Sequence, residues 1–332
     1  MKKIYIIAEI GINHDGKTKN IIKLIRSAKE AGASAVKFQL YQAKTLASKN
    51  NKIKNYFYNG KRKETIYEMW KRLEIKKKQL KIIESTTKIL GIDLIFSIFD
   101  IESLNLLKNI KYKFIKIASS DINDFFLIDK IKLLKKPIII STGMASKKEI
   151  ANLLNRLKRN KVFLLHCVSL YPCSLKYINL RRMEKLSKTF KKIIGFSDHT
   201  IGIEASLLAM TMNAKIIEKH FTLNKKMEGP DHKLSADQND LKIICNFAKN
   251  LKLMKGSGNI YPSKKELEIK KIARKSIYAK NNIKINQKIN LKNIELRRPE
   301  SFLTTGDINK IIGKKSIKEI EAGESLKKEF FI

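Results

Sequence analysis

The sequence predicts an α/β fold, a (β/α)8 barrel followed by a small C-terminal domain. Three observations carry this. Short Ile-, Val- and Phe-rich runs alternate with amphipathic helical stretches over the first 256 of 332 residues, giving eight strand-then-helix units. Polar and ionisable residues collect where each strand-like run ends. Beyond Gly256 the rhythm breaks into short segments. A barrel takes roughly 250 residues, so the remainder is free for a second domain. An open doubly wound sheet is the competing architecture, but no glycine-rich dinucleotide loop supports it.

The units run as follows. Ile4 to Ile10 reads as the first strand, and Asn20 to Ala31 as a helix with Ile21, Leu24, Ile25 and Ala28 on one face. Ser34 to Leu40 is the second strand. The stretch from Tyr41 to about Thr65 is too long for an ordinary connector and reads as an active-site loop. Helical patterns cover Ile66 to Leu73 and Lys76 to Leu90. Six further strands fall at Leu94–Phe99, Lys113–Ser119, Pro137–Ser141, Val162–Cys167, Lys192–Ser197 and Lys215–His220. Helices between them include Ile101–Lys108, Asp124–Leu134, Lys147–Leu157 and Gly202–Met212, and a last one runs from Asp237 to Leu253. The expected organisation is a barrel over 1–256, a charged helical linker over 257–275 and a small domain over 276–332.

Composition narrows the function. The formal charge is +39, but lysine is spread along the whole chain and no nucleic-acid-binding motif appears, so specific nucleic-acid binding is not expected. No apolar run approaches the roughly 20 residues of a membrane span. The opening segment meets Glu9 at once and reads as a strand rather than a signal peptide. Three cysteines, Cys167, Cys173 and Cys245, fit neither a zinc motif nor a disulfide framework, and a reducing cytoplasm is the expected compartment.

Barrel active sites are built at the C-terminal strand ends. Those ends carry Glu9, Asn13, His14 and Asp15; Lys37 and Gln39; Ser97 and Asp100; Lys116, Ser119 and Asp121; Ser141 and Thr142; Ser169 and Tyr171; then Ser197, His199, Glu218 and His220. Lysines and hydroxyls suit a carboxylate or phosphate, and Glu9 and Asp121 suit proton transfer or the orientation of a water. His199 and His220 close the last two strands, which end on the same side, so both imidazoles can reach one divalent cation. An open two-histidine site suits Mn²⁺, Mg²⁺ or Co²⁺. His166 lies inside an apolar strand and reads as a hydrogen-bonded core residue. His232, in a Gly-Pro-Asp-His loop, is either a substrate contact or a turn residue. Cys167 and Cys173 lack a base at recognisable spacing.

These stretches resemble the nonulosonic (sialic) acid synthases: N-acetylneuraminate synthase and its pseudaminate and legionaminate relatives. The matching segments include Ala8 to Gly16, Lys37-Phe38-Gln39, Lys116-Ile117-Ala118-Ser119, Ser141-Thr142-Gly143-Met144 and His166 to Pro172. They continue with Gly195 to Thr200, Glu218 to Thr222 and Gly229 to His232, and the tail from Ser276 looks like an antifreeze-like (SAF) domain. The resemblance implies condensation of phosphoenolpyruvate with an open-chain N-acyl hexosamine, with C–O cleavage and release of phosphate. N-acetylmannosamine, giving N-acetylneuraminate, is the first expectation; a 2,4-diacetamido-trideoxyhexose, giving pseudaminate or legionaminate, is the alternative. A non-catalytic glycan- or anion-binding protein is the alternative of another class.

By the same resemblance Glu9, Asp121, His199 and His220 are catalytic, with a metal, Mn²⁺ foremost, on the two histidines. Lys37, Ser97, Lys116, Ser119, Ser141, Ser169 and Ser197 receive phosphoenolpyruvate, while Gln39, Tyr171 and Asp231 hold the sugar. Arg298 reaches from the small domain into the partner's site, which implies a swapped homodimer. Asp121 stands where some members have glutamate. Ser97 replaces the usual threonine, Ser169 stands where some members have asparagine, and Arg298-Pro299-Glu300 replaces the usual Arg-Pro-Gly.

Overall fold

A computed structural model describes residues 3–48 and 64–332. The chain divides into two compact units, Met1–Gly256 and Ser257–Ile332.

The first unit begins with β1 (Tyr5–Gly11), α1 (Thr18–Glu30), β2 (Ala35–Leu40), α2 (Ala43–Leu46), α3 (Ile66–Leu73), α4 (Lys77–Leu90) and β3 (Asp93–Ile98). It continues with α5 (Ile101–Leu106), β4 (Phe114–Ile117), α6 (Phe125–Leu133), β5 (Ile138–Ser141), α7 (Lys147–Arg156) and β6 (Val162–Cys167). The last elements are α8 (Arg181–Phe190), β7 (Ile194–Asp198), α9 (Glu204–Thr211), β8 (Ile216–His220) and α10 (Gln238–Lys255). The eight strands pair in sequence order, all parallel, and β8 closes on β1. This is the expected closed (β/α)8 barrel.

Alternation along the strands explains how one chain builds both core and site. Side chains two apart on a strand share a face. Ile7, Ala35, Ile95, Phe114, Ile139, Phe163 and Ile216 point inward and form one apolar cluster that plugs the barrel. Two residues on, the step from Ile7 reaches Glu9, from Ala35 Lys37, from Ile95 Ser97, from Phe114 Lys116, from Ile139 Ser141 and from Ile216 Glu218. All of these polar residues are buried. The opposite parity, Ile6, Ala8, Val36, Phe38, Phe96, Ile115, Ile140, Leu164 and Ile217, joins the main core beneath the helices. Gly195 is required on β7, because a Cβ there would collide with the Ile216 carbonyl oxygen and with Leu165.

Local chemistry fixes several helix starts. Thr65 and Glu68 form a reciprocal capping box at α3, as Ser146 and Glu149 do at α7. Asp100 caps α5 through the Ser103 amide. Its other oxygen accepts from the Gln42 amide at 2.7 Å and from Thr45 Oγ1 at 3.0 Å, which ties down the segment after β2. Within the long Tyr41–Thr65 stretch a short helix, α2, forms; residues 49–63 lie outside the described residues.

The second unit has the charged helix α11 (Lys264–Ala273), then β9 (Ser276–Ala279) paired antiparallel with β10 (Ile294–Arg297), and the short α12 (Ile308–Ile311). Its own core gathers Ile277, Ile283, Ile289, Ile320, Leu326 and Phe331. Arg298 follows β10 and is exposed on this unit.

Candidate active site

The polar layer opens into a cavity of about 660 Å³ at the C-terminal end of the barrel. Most of the barrel residues singled out from the sequence line it: Glu9, Lys37, Gln39, Ser97, Lys116, Ser119, Asp121, Ser141, Ser169, Tyr171, Ser197, His199, Glu218, His220 and Asp231; Asn13, His14, Asp15, Asp100 and Thr142 do not. Arg298 belongs to the second unit.

Four buried charges form the floor. Lys37 Nζ lies 2.9 Å from Glu9 Oε2 and 3.6 Å from Glu218 Oε2, and Lys116 Nζ lies 3.6 Å from Glu218 Oε1. Lys37 donates to Ser97 Oγ at 2.9 Å, Ser197 Oγ donates to Glu218 at 2.9 Å, and Gln39 donates to Glu9 Oε1 at 3.3 Å. Burial pushes the Glu9 carboxyl up to about 7, against the pull of Lys37 and helped by the Glu218 charge. Burial works the same way on Glu218, but Lys116 and Lys37 outweigh it and hold that carboxyl below its ordinary value. Burial lowers Lys116, and the Lys37 charge adds to the effect. The lysines are thus already partnered by carboxylates rather than waiting as bare cations. Glu218, given no role from the sequence, bridges both of them.

Beside Lys116 a cluster of small groups encloses a polar recess. The Gly143 amide donates to Ser119 Oγ at 2.9 Å. A Cβ on Gly143 would collide with Ser169 Oγ and stand 2.9 Å from Ser119 Oγ, so only glycine leaves the recess open. Ser141 Oγ and Ser169 Oγ are buried with no hydrogen-bond partner among the described residues. Buried hydroxyls without partners are costly, and an anionic oxygen is the group they can satisfy. Asp121 sits at the rim, where burial raises its carboxyl against a 2.7 Å hydrogen bond from Ser120.

The two histidines lie across the mouth. Their ring centroids are 5.5 Å apart, and Tyr171 stacks on His199 at 4.1 Å. His199 Nδ1 is 2.9 Å from the Val168 carbonyl oxygen, so its Nε2 is the nitrogen left for a ligand. His220 Nδ1 is buried with no hydrogen-bond partner among the described residues, 3.5 Å from Asp231 Oδ2. Burial first, then the His199 charge, keeps His220 well below its ordinary pKa and therefore a neutral imidazole, the form that ligates metal. Metal–nitrogen bonds of about 2.0–2.1 Å span such a separation. No group of three His, Cys, Asp or Glu forms a ready metal cage among the described residues, so an ion on this pair would keep positions open for substrate oxygen and water. Burial raises Asp231 to about 6, opposed by the charges of His199 and His232.

Several sequence readings change here. Asp100 is a cap, with its carboxylate committed to Ser103, Gln42 and Thr45. Asn13 bonds the Phe221 carbonyl and Ser235, tying the first turn to the loop that carries Asp231. Asp15 and His232 meet at 3.3 Å, and His232 also bonds Thr222 at 2.7 Å; it is a buried structural residue of that loop. His166 contacts the Ile178 carbonyl at 2.6 Å, a core histidine as expected. Cys167 does have a base nearby: its Sγ lies 3.8 Å from His199 Nδ1. The two are 32 residues apart, and only the pairing of β6 with β7 joins them.

A closed barrel with a polar cavity at its strand ends, followed by a small β-rich unit, defines the class of protein: a (β/α)8 barrel with an appended C-terminal domain. The chain belongs to the NeuB family, whose match covers residues 24–260, and residues 274–332 match the SAF domain. It is 37% identical over 333 residues to the N,N'-diacetyllegionaminic acid synthase of Campylobacter jejuni, covering 98% of this chain and 100% of that protein. It is 33% identical over 337 residues to a pseudaminic acid synthase of the same species, covering 99% and 97%. Among solved structures, the N-acetylneuraminic acid (sialic acid) synthetase of Leptospira borgpetersenii, in complex with citrate, superposes with a TM-score of 0.72 at 31% identity, over 80% of this chain and 90% of that one.

Proposed function

We propose that this chain condenses phosphoenolpyruvate with an open-chain N-acylated hexose to give a nonulosonic acid and phosphate, and that the acceptor is a 2,4-diacetamido-trideoxyhexose. The observation that carries the reaction is the mouth itself, where a glycine-lined recess of serines without partners among the described residues adjoins two buried lysines and the two facing histidines. The relatives support this acceptor. Both a 37% and a 34% identical protein, from Campylobacter jejuni and Legionella pneumophila, are N,N'-diacetyllegionaminic acid synthases. The diacetamido sugar therefore displaces N-acetylmannosamine as the leading acceptor.

In this reading Lys116, Ser119, Ser141, Ser169 and the open recess at Gly143 receive the phosphate, and Lys37 with Ser97 receives the carboxylate. C3 of the enol phosphate bonds to the aldehyde carbon of the sugar. Water adds at C2, positioned by Asp121, and the C2–O bond to phosphorus then breaks, so the bridging oxygen departs with phosphate. Glu9, with a carboxyl near 7, is suited to passing a proton at the sugar oxygen. Gln39, Tyr171 and Asp231 orient the acceptor. His199 and His220 would hold a divalent cation, Mn²⁺ or else Mg²⁺ or Co²⁺, which polarises the aldehyde oxygen. Two lysines against two carboxylates leave the floor with little net charge, so a polyanion here calls for a further cation. A homodimer in which Arg298 contacts the partner's acceptor completes the reading and rests on the family resemblance.

The test offers the full chain phosphoenolpyruvate carrying ¹⁸O in its bridging oxygen, Mn²⁺ and each acceptor in turn. The expected products are labelled phosphate and a nonulosonate of matching mass, with the diacetamido sugar turned over at least ~10-fold faster, the scale a few apolar contacts can supply. No product with any acceptor and any divalent cation would defeat the proposal. His220→Ala is expected to weaken Mn²⁺ binding, read by the ion's paramagnetic resonance, together with turnover.

A further inference from the structure

The mouth has two unlike halves. The reacting groups stand on or just past β4 to β8, with Glu9, Lys37, Gln39 and Ser97 at the level of the strands β1 to β3. Above β1 to β3 the lining turns apolar: Ile12, Leu46, Ile66, Met69, Trp70 and Phe99. Ile12, Met69, Trp70, Leu46 and Phe99 pack in one cluster around the fully buried Tyr41. Tyr41 makes edge-on contacts with Trp70 at 5.1 Å and Phe99 at 6.3 Å, which fixes the wall's shape.

The polar groups nearest this wall are already committed. Tyr41 OH donates to the Trp70 carbonyl oxygen at 3.3 Å. Asp100 holds four backbone and hydroxyl donors, and Glu74 accepts from the Ala43 amide at 3.1 Å. Among the described residues, a sugar hydroxyl turned toward Leu46, Ile66, Met69, Trp70 and Phe99 would lose water and find no ready partner, which costs about 1–3 kcal/mol. A methyl in the same place gains by leaving water. Most of a hexose is hydroxyl, so an apolar wall of this extent suits a part of the sugar that has none.

We infer that Leu46, Ile66 and Trp70 form a specificity pocket for the methyl end of a 6-deoxy acceptor, and that this wall disfavours acceptors with a hydroxymethyl group there. The inference rests on the synthase reading above and adds the position of the discrimination. Reaction at the aldehyde end is left to the histidine side of the cavity.

The experiment compares the 2,4-diacetamido-6-deoxy acceptor with its counterpart bearing a hydroxyl at C6. Two readouts are used: kcat/KM, and binding followed through the fluorescence of Trp70, the chain's single tryptophan. The native chain is expected to favour the 6-deoxy sugar by roughly 10–100-fold, the range open to an apolar pocket. Ile66→Ser and Leu46→Asn, at partly exposed positions, are expected to reduce that ratio to within about 3-fold, with the KM for phosphoenolpyruvate unchanged, while Ile66→Val retains it. Condensation with no preference at C6, or a preference that both polar variants leave intact, would overturn the pocket and leave the synthase reading standing. Binding preference for the 6-deoxy sugar without any condensation would do the reverse.

Discussion

Two buried ion-pair systems sit a few residues apart in this barrel and behave in opposite ways. Asp198 and Lys219 are register neighbours on β7 and β8, pointing outward beneath the helices. Their charged atoms are 3.2 Å apart, and both side chains are fully buried. Every polar atom has an answer: Asp198 accepts from the Thr200 amide, Thr200 Oγ1 and Ser206 Oγ, while Lys219 donates to the Thr200 carbonyl. The inward system of Glu9, Lys37, Lys116 and Glu218 is also buried, yet Ser141 Oγ, Ser169 Oγ and His220 Nδ1 around it have no hydrogen-bond partner among the described residues. A complete network holds the fold. An incomplete one, though buried, is shaped for something that arrives.

Substitutions can break that contrast. The largest effect is expected for Lys219→Met, which strands a buried carboxylate and should cost about 3–5 kcal/mol in denaturant unfolding, with Asp198→Asn/Lys219→Met recovering most of it. A double variant no more stable than the single one would contradict the self-contained pair. Lys116→Met should lower turnover by about 10²–10³-fold, as expected for losing a group aimed at developing charge, with a smaller loss of stability than Lys219→Met. Stability falling by as much as in Lys219→Met would make the inward system structural too. The smallest effect is expected for Gly143→Ala. Filling the recess should raise the KM for phosphoenolpyruvate about 10-fold and cost about 1–3 kcal/mol, and an unchanged KM would remove the recess from the phosphate end.

The contrast also marks what was legible in the chain. The strands could be read because Ile-rich runs alternate visibly, and the site because a two-residue step carries six of the seven inward apolar residues named above to a polar one, Phe163 to Leu165 being the exception. Contacts between strands could not be read. Cys167 meets His199 only through barrel closure, and Glu218 gains its two lysines from β2 and β4, strands distant in sequence. Asp100 ends a strand and so resembles site chemistry, but one oxygen caps α5 at the Ser103 amide and the other accepts from Gln42 in the segment after β2, whose path no local pattern announces. His232 was left between two roles for the same reason, and Asp15, 217 residues away, decides it.

The apolar wall over β1 to β3 is carried by turns and short helices, and the four floor charges by the staves themselves. A staff lengthened by one residue would turn its charged side chains into the oily layer behind, so that part of the molecule tolerates little tinkering. The connecting pieces are under no such constraint. A lineage can therefore change which sugar it accepts by redecorating Leu46, Ile66 or Trp70 while the bond-making end stays as it was.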